Sequence, residues 1–351
     1  MLSVLICLCF LLPSFLPFVS LMNIAEPASK SLLQNVVWAL SNLCRGKPQP
    51  DLSLVAPAIP HLSSLLVSDN SNCLMDAVWA LSYLSDGGDD RIQAVMNGGT
   101  ADRLVALLAE ENATVVTPAL RTLGNFVSGN DSQTQAVLDA GVTRYLSRLL
   151  NHGKKNVRKE TCWLLSNIAA GTKDQIGALM SMPSEMAAVI SMAKSGEWEV
   201  KKEATWVLSN IATGGTDSHI EALVELNGIE SLCSVLTAAD ARIVSVALEA
   251  IENILQAGRR LGKVYESFVD EADGLDHIEG LQEHANDEIY EKAVRIIETF
   301  FGTEEVEDEN LAPMANGDTF SFGLPTIKNV DGIDGEDIMA QQPLQPFNFQ
   351  M

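Results

Sequence analysis

Positive charge is the scarce ingredient of this sequence. Its 351 residues carry 23 Lys and Arg against 46 Asp and Glu, a formal net charge of −23 at pH 7. That balance repels nucleic-acid phosphates and anionic lipid and favours cationic partners, so DNA, RNA and membrane surfaces are not expected as partners. Aromatics are also few, at 6%, while Ala, Leu, Ile and Val dominate, which suits helix packed on helix. The six cysteines (Cys7, Cys9, Cys44, Cys73, Cys162 and Cys233) form no C-x-x-C pair and no Cys/His cluster. Neither a disulfide framework nor a zinc site organises the fold, and buried reduced thiols are expected. The five histidines (His61, His152, His219, His277 and His284) share no periodic position, and no nucleophile–base–acid order is visible. An enzyme is therefore not expected, nor a cofactor or metal; the acidic stretch at 329–337 does not fit calcium-loop spacing.

The first 25 residues lack charge altogether, and the first Lys or Arg is Lys30. Leu2 to Met22 is nearly long and apolar enough for a membrane span. A signal peptide would need a basic start, which is missing, and Pro13 and Pro17 would interrupt a helix. The expectation is a segment packed on the end of the fold, or an atypical start on a truncated chain. A membrane tether through residues 1–22 is the rival.

What is present is a repeat. Six segments align: VVWALSNLCRG (36–46), AVWALSYLSDG (77–87), PALRTLGNFVSG (118–129), TCWLLSNIAAG (161–171), ATWVLSNIATG (204–214) and ALEAIENILQAG (247–258). Equivalent positions are Trp38, Trp79, Arg121, Trp163, Trp206 and Glu249, with successive differences of 41, 42, 42, 43 and 43. This period lies within the range of armadillo and HEAT repeats. Each segment has apolar residues at helical spacing and ends near glycine, which predicts a left-handed C-cap. Shorter helical runs lie between them, as in 135–150 with a break at Gly141; in 180–185 Pro183 stands where other repeats have glycine. The expected fold is all-α, an armadillo-repeat right-handed superhelical solenoid, because one such unit cannot bury its apolar face alone.

Trp and Asn four apart share a helix face, so stacked third helices would present a ladder of indoles beside a ladder of carboxamides. An Asn amide both donates and accepts, and can clamp the backbone of an extended peptide of any sequence. Facing indoles would hold the methylene stem of Lys or Arg, with about 0.5–2 kcal/mol of cation–π attraction per contact. Asp76 and Glu203 lie three residues before Trp79 and Trp206, and so on the same face. Asn recurs at the +4 position in five of six repeats (Asn42, Asn125, Asn167, Asn210 and Asn253). Packing does not obviously require this, which points to a ligand.

These third-helix segments resemble those of the importin-alpha (karyopherin-alpha) family. The resemblance runs from Glu26 to about Gly302 and includes the departures Tyr83, Arg121 and Glu249. It implies the fourth to ninth repeats of a ten-repeat protein, with 261–302 as the tenth. It implies a nuclear import adaptor of cytoplasm and nucleus that holds basic nuclear-localisation peptides. The minor-type peptide site would comprise Arg121, Asn125, Asp131, Lys159, Trp163, Ser166, Asn167, Glu203, Trp206 and Asn210. The residual major-type site would comprise Asn35, Trp38, Asn42, Asp76, Trp79 and Tyr83. The C-terminal repeat would meet the family's export receptor. The family's basic segment that recruits importin-beta has no counterpart here, so that partner is not expected. A general armadillo interaction scaffold is the alternative.

The expected organisation is an atypical apolar segment at 1–25 and ladder repeats at 26–260. A capping repeat at 261–302 and an acidic, disordered tail at 303–351 follow.

Overall fold

A computed structural model describes residues 29–302 and two short strands at 314–316 and 319–321. The expectations for 1–25 and for most of 303–351 fall outside the described residues. Contacts divide the chain into two units at Phe301/Gly302. In the second, Met314–Asn316 pairs antiparallel with Thr319–Ser321, a small hairpin where the sequence suggests no structure.

The first unit is an all-α solenoid. Its long third helices are α1 (Lys30–Cys44), α4 (Ser71–Leu84), α7 (Ala113–Val127), α10 (Lys155–Ala169), α13 (Trp198–Gly214), α16 (Ala241–Leu261) and α19 (Asp287–Ile296). Each packs on the next in chain order. Between them lie the shorter helices α2 (Leu52–Val55), α3 (Ile59–Ser64), α5 (Asp89–Met96), α6 (Ala101–Leu107), α8 (Asp131–Asp139) and α9 (Leu146–Leu150). The series continues with α11 (Lys173–Met180), α12 (Pro183–Ser195), α14 (Asp217–Glu225), α15 (Gly228–Cys233), α17 (Glu266–Glu271) and α18 (Gly274–Leu281). One apolar core runs from Val36 to Phe300 through every repeat. Each fully buried Leu or Val in it stabilises by about 1.5–3 kcal/mol.

The bend between first and second helices uses left-handed backbone at Gly99, Gly141, Asn227 and Asp273. Between α11 and α12 Pro183 takes the first helical position instead, and the two axes differ by 92°. Proline at N1 lacks only an N–H that has no intrahelical partner, so it starts α12 while α11 ends at Met180.

The predicted left-handed caps of the third helices are not found. Ser85, Ser128 and Ala170 cap α4, α7 and α10 in right-handed conformation, and Gly215 caps α13 in extended conformation. Only α16 ends on a left-handed glycine, Gly262. The glycines serve close approach instead. A Cβ at Gly129 or Gly171 would lie 1.9 Å from Gln133 Oε1 or 2.1 Å from Gln175 Oε1. Each of these glutamines folds back to close a capping box, on Asn130 and Thr172 respectively. Their amides then donate to the repeat before, Gln133 to the Asp89 carbonyl at 3.1 Å and Gln175 to the Asp131 carbonyl at 2.9 Å.

Gln175 is 2% exposed, and its replacement removes both the cap and the tie. Gln175→Ala should cost about 1–2 kcal/mol, read as a lower urea midpoint followed by far-UV circular dichroism. An unshifted midpoint would mean the tie contributes nothing.

Candidate functional site

The third helices form one wall, and the structure shows how its side chains are used. Asn125 Nδ2 donates to the Ser82 carbonyl at 2.9 Å and to Ser85 Oγ at 3.0 Å, both one repeat earlier. Asn167 donates to the Gly124 carbonyl at 3.3 Å, Asn210 to the Ser166 carbonyl at 2.8 Å, and Asn253 to Thr213 Oγ1 at 3.0 Å. Asn42, with no described helix ahead of it, donates back to its own Trp38 carbonyl at 2.8 Å. The recurring Asn thus has a packing role that the sequence does not reveal: it ties each third helix to the one before. Asn125 is 5% exposed with both amide hydrogens engaged, whereas Asn167 and Asn210 are half-buried and each keep one N–H and the carbonyl oxygen available.

Trp163 and Trp206 are half-buried. A Cβ at Gly124 would lie 2.2 Å from Trp163 Cζ3, so that indole rests directly on the backbone of α7. Glycine is required there by contact, not by backbone conformation. In four of the other five repeats the equivalent position is a buried serine (Ser41, Ser82, Ser166 and Ser209), and in the sixth it is Glu252. Ser166 Oγ donates to the Trp163 carbonyl at 2.8 Å, which satisfies the hydroxyl within its own helix.

Arg121 replaces an indole with a guanidinium. Its Nε and a terminal nitrogen donate to the two carboxylate oxygens of Glu160 at 2.8 and 2.7 Å, and its carbon lies 5.3 Å from the centre of the Trp163 ring. Burial disfavours its charge, but the hydrogen bonds and charge of Glu160 win and its pKa is raised. One face of Trp163 is thereby occupied from within the protein.

Glu203 is half-buried and makes no hydrogen bond or ion pair among the described residues. Burial raises its pKa, with Lys159 pulling the other way and Glu160 adding to the rise. Lys159 Nζ is 3.9 Å from the Glu160 carboxylate. Asp131 stands apart from this wall, in the first turn of α8 with an exposed side chain.

The residual set lies on α1 and α4. Asn35, Trp38 and Asn42 are exposed, Trp38 by 43%. Trp79 stacks on Tyr83 with ring centres 5.7 Å apart and planes at 23°. Asp76 is 8% exposed, has no partner among the described residues, and its pKa is raised by burial.

The sequence did not reveal Glu160, the partner of Arg121, or Arg242, whose guanidinium carbon lies 5.3 Å from the Trp206 ring centre. Glu160 stands 39 residues after Arg121, so a search for opposite charges one period apart would have found it. Elsewhere, burial pushes the thiols of Cys44, Cys162 and Cys233 up to about 12, which leaves them unreactive. No group of three metal-ligating side chains occurs among the described residues.

The family described as Armadillo/beta-catenin-like repeat matches residues 46–86, 130–170 and 216–256, and that described as Atypical Arm repeat matches 263–314. Importin subunit alpha-2 of Arabidopsis thaliana is 48% identical over 345 residues, covering 96% of this chain and 62% of that protein. Importin subunit alpha-1b of Oryza sativa subsp. japonica is 44% identical over 314 residues, covering 86% of this chain and 58% of that protein. Over most of its length the chain is similar to these importin alpha subunits, and it carries armadillo/beta-catenin-like repeats. It spans about 60% of the length of these relatives. Among solved structures, an engineered protein is similar with a TM-score of 0.72 at 28% identity, over 81% of this chain and 67% of that one. A designed armadillo repeat protein in complex with the peptide (KR)4 is similar with a TM-score of 0.63 at 30% identity, over 69% of this chain and 99% of that one.

The Arg121–Glu160 pair joins a half-exposed cation to a carboxylate only 6% exposed. Arg121→Met, which strands Glu160, should lower stability by about 1–3 kcal/mol, and adding Glu160→Met should recover most of it. Chemical denaturation of the two variants measures this. A double variant less stable than the single would contradict it.

Proposed function

We propose that this chain is an importin-alpha family member and a nuclear import adaptor, working in cytoplasm and nucleus, that holds basic localisation peptides of cargo proteins along its third-helix wall. What supports this is the placement of half-buried Trp163 and Trp206 at equivalent positions of the adjacent helices α10 and α13, with Glu203, which makes no hydrogen bond or ion pair among the described residues, one turn before Trp206. Two indoles accept the stem of one Lys or Arg, and the carboxylate awaits its charged head. Asn167 and Asn210 each retain an amide N–H and a carbonyl oxygen for the peptide backbone, while Asn125 offers only its oxygen. The net charge of −23 draws a basic peptide in from solution.

The paired Trp79 and Tyr83, Asp76 and the exposed Trp38 form the end of a second peptide site. The C-terminal repeat, α17 to α19, supplies the surface for the export receptor. That assignment rests on the atypical repeat matched at 263–314 and on exposed Val264 and Phe268. The designed protein solved with (KR)4 supports the chemistry, because its similarity covers the same kind of repeat.

Fluorescence anisotropy with a labelled Lys/Arg-rich peptide tests this. Trp163→Ala combined with Trp206→Ala should weaken binding about ten- to a hundredfold, and raising salt should weaken the wild-type complex. Affinity unchanged in the double variant would end the proposal.

Glu203 also makes binding depend on pH. Burial keeps its carboxyl protonated to higher pH than a free glutamate, so its neutral form favours the unliganded fold at low pH and that contribution is lost as pH rises through the raised pKa. A bound cation favours the ionised form. Peptide affinity should therefore fall as pH drops through the raised carboxyl range, and Glu203→Gln should flatten that dependence at lower overall affinity. Isothermal titrations in buffers spanning the acid range would show it; an equally steep dependence in Glu203→Gln would assign the proton elsewhere.

A further inference from the structure

We propose that Arg242 recognises an acidic side chain of the cargo peptide, placed next to the cation that enters the Trp163–Trp206 slot. This rests on the peptide-binding proposal above. Arg121 comes from the helix before Trp163 and Arg242 from the helix after Trp206. The two guanidiniums each lie 5.3 Å from the centre of the ring they cover. On the peptide-binding proposal the ligand's cation enters between the two indoles.

The two arginines differ in their compensation. Arg121 is held by both oxygens of Glu160. Arg242 is exposed and makes no hydrogen bond or ion pair among the described residues. It borders a cavity of about 400 Å³ whose lining includes Trp206, Ser245, Glu249, Glu288 and Lys292. The acids around it are engaged by groups other than Arg242, with Glu288 and Glu249 sharing the one ammonium of Lys292. Lys292 Nζ lies 3.0 Å from Glu288 and 3.4 Å from Glu249, and Glu288 also accepts from Ser245 Oγ at 2.8 Å. Asp240, two residues before Arg242, is 3.9 Å from Lys202. A guanidinium without a carboxylate, fixed against the wall of a cation slot, repels a second cation and binds an anion.

A peptide continuing from the slot past Trp206 therefore meets a positive group in an otherwise negative groove. At the register beside Arg242 an acidic residue of the peptide is favoured. The occupant is a Glu or Asp carboxylate flanking a basic cluster, and the specificity is for a mixed-charge pattern, not simply for the largest positive charge.

The test scans a single Glu through the flanks of a fixed Lys/Arg core peptide and measures affinity by anisotropy at low salt. The wild-type chain should favour Glu over Ala at one position by roughly three- to fivefold, as expected of an exposed ion pair. Arg242→Ala should remove that preference and leave the core peptide bound, and Arg242→Glu should transfer it to Lys at the same position. Circular dichroism checks that both variants keep the helical fold. No preferred position in the wild type, or a preference that survives Arg242→Ala, would overturn the role of Arg242 alone. Failure of every peptide to bind the wild type would overturn the peptide groove beneath it.

Discussion

Every property of this molecule depends on how one third helix is registered against the next, and apolar packing alone does not set that register. The Leu, Val and Ile side chains of the core attract without direction. The directional groups are polar side chains that reach back one repeat: Asn125 to Ser82, Asn167 to Gly124, Asn210 to Ser166, Gln133 to Asp89 and Gln175 to Asp131. Each spans 43 or 44 residues, close to the sequence period itself. Because buried polar groups must be paired, a slipped register strands several of them at once. The asparagines tie the groove wall and the glutamines tie the first-helix ends, so the spacing of the indoles follows from bonds made on two sides of each repeat.

The scarcity of cations gains meaning in this frame. Arg121, Lys194, Arg260, Lys263, Lys292 and Arg295 all pair with acids of a neighbouring repeat. The exposed ones among them contribute little individually, but all of them consume basic side chains in the seams between repeats. The acids left over, with Asp76 and Glu203 among the half-buried or buried ones, give the wall its unbalanced negative field. A chain with more lysines could neutralise these carboxylates internally and would lose the attraction for a basic ligand on which the proposed function depends.

Much of this was legible in the sequence, and what was not has a common cause. The period, the helices and the Trp/Asn face follow from spacing along one chain segment, so Trp38, Trp79, Trp163 and Trp206 could be placed without coordinates. The break at Pro183 could too, because proline acts on its own backbone. Glu160, Arg242 and the second role of asparagine could not be read this way, since each depends on a partner one repeat away whose rotamer is set by packing. The glycines were misread for a related reason. A glycine at a helix end ordinarily signals left-handed backbone, but Gly129 and Gly171 answer to a glutamine oxygen about 2 Å from where their Cβ would lie. Local rules fail where a neighbouring element supplies the constraint.

The two ends of the indole ladder show how a repeat protein confines a site that repetition would otherwise extend. If every repeat carried Trp and Asn, the groove would offer equal slots along its length and a peptide could bind in many registers. Arg121 ends the ladder on one side by filling the face of Trp163 and binding Glu160. On the other side Glu249 stands where an indole would, engaged by Lys292, and Arg242 covers Trp206. Both stops are charged groups facing an aromatic ring, and both are supplied by the adjoining repeat rather than by the one that carries the tryptophan. On the proposed reading the slot is thus bounded by what the neighbouring repeats withhold, and the charged groups that bound it lie on the wall, above the apolar core.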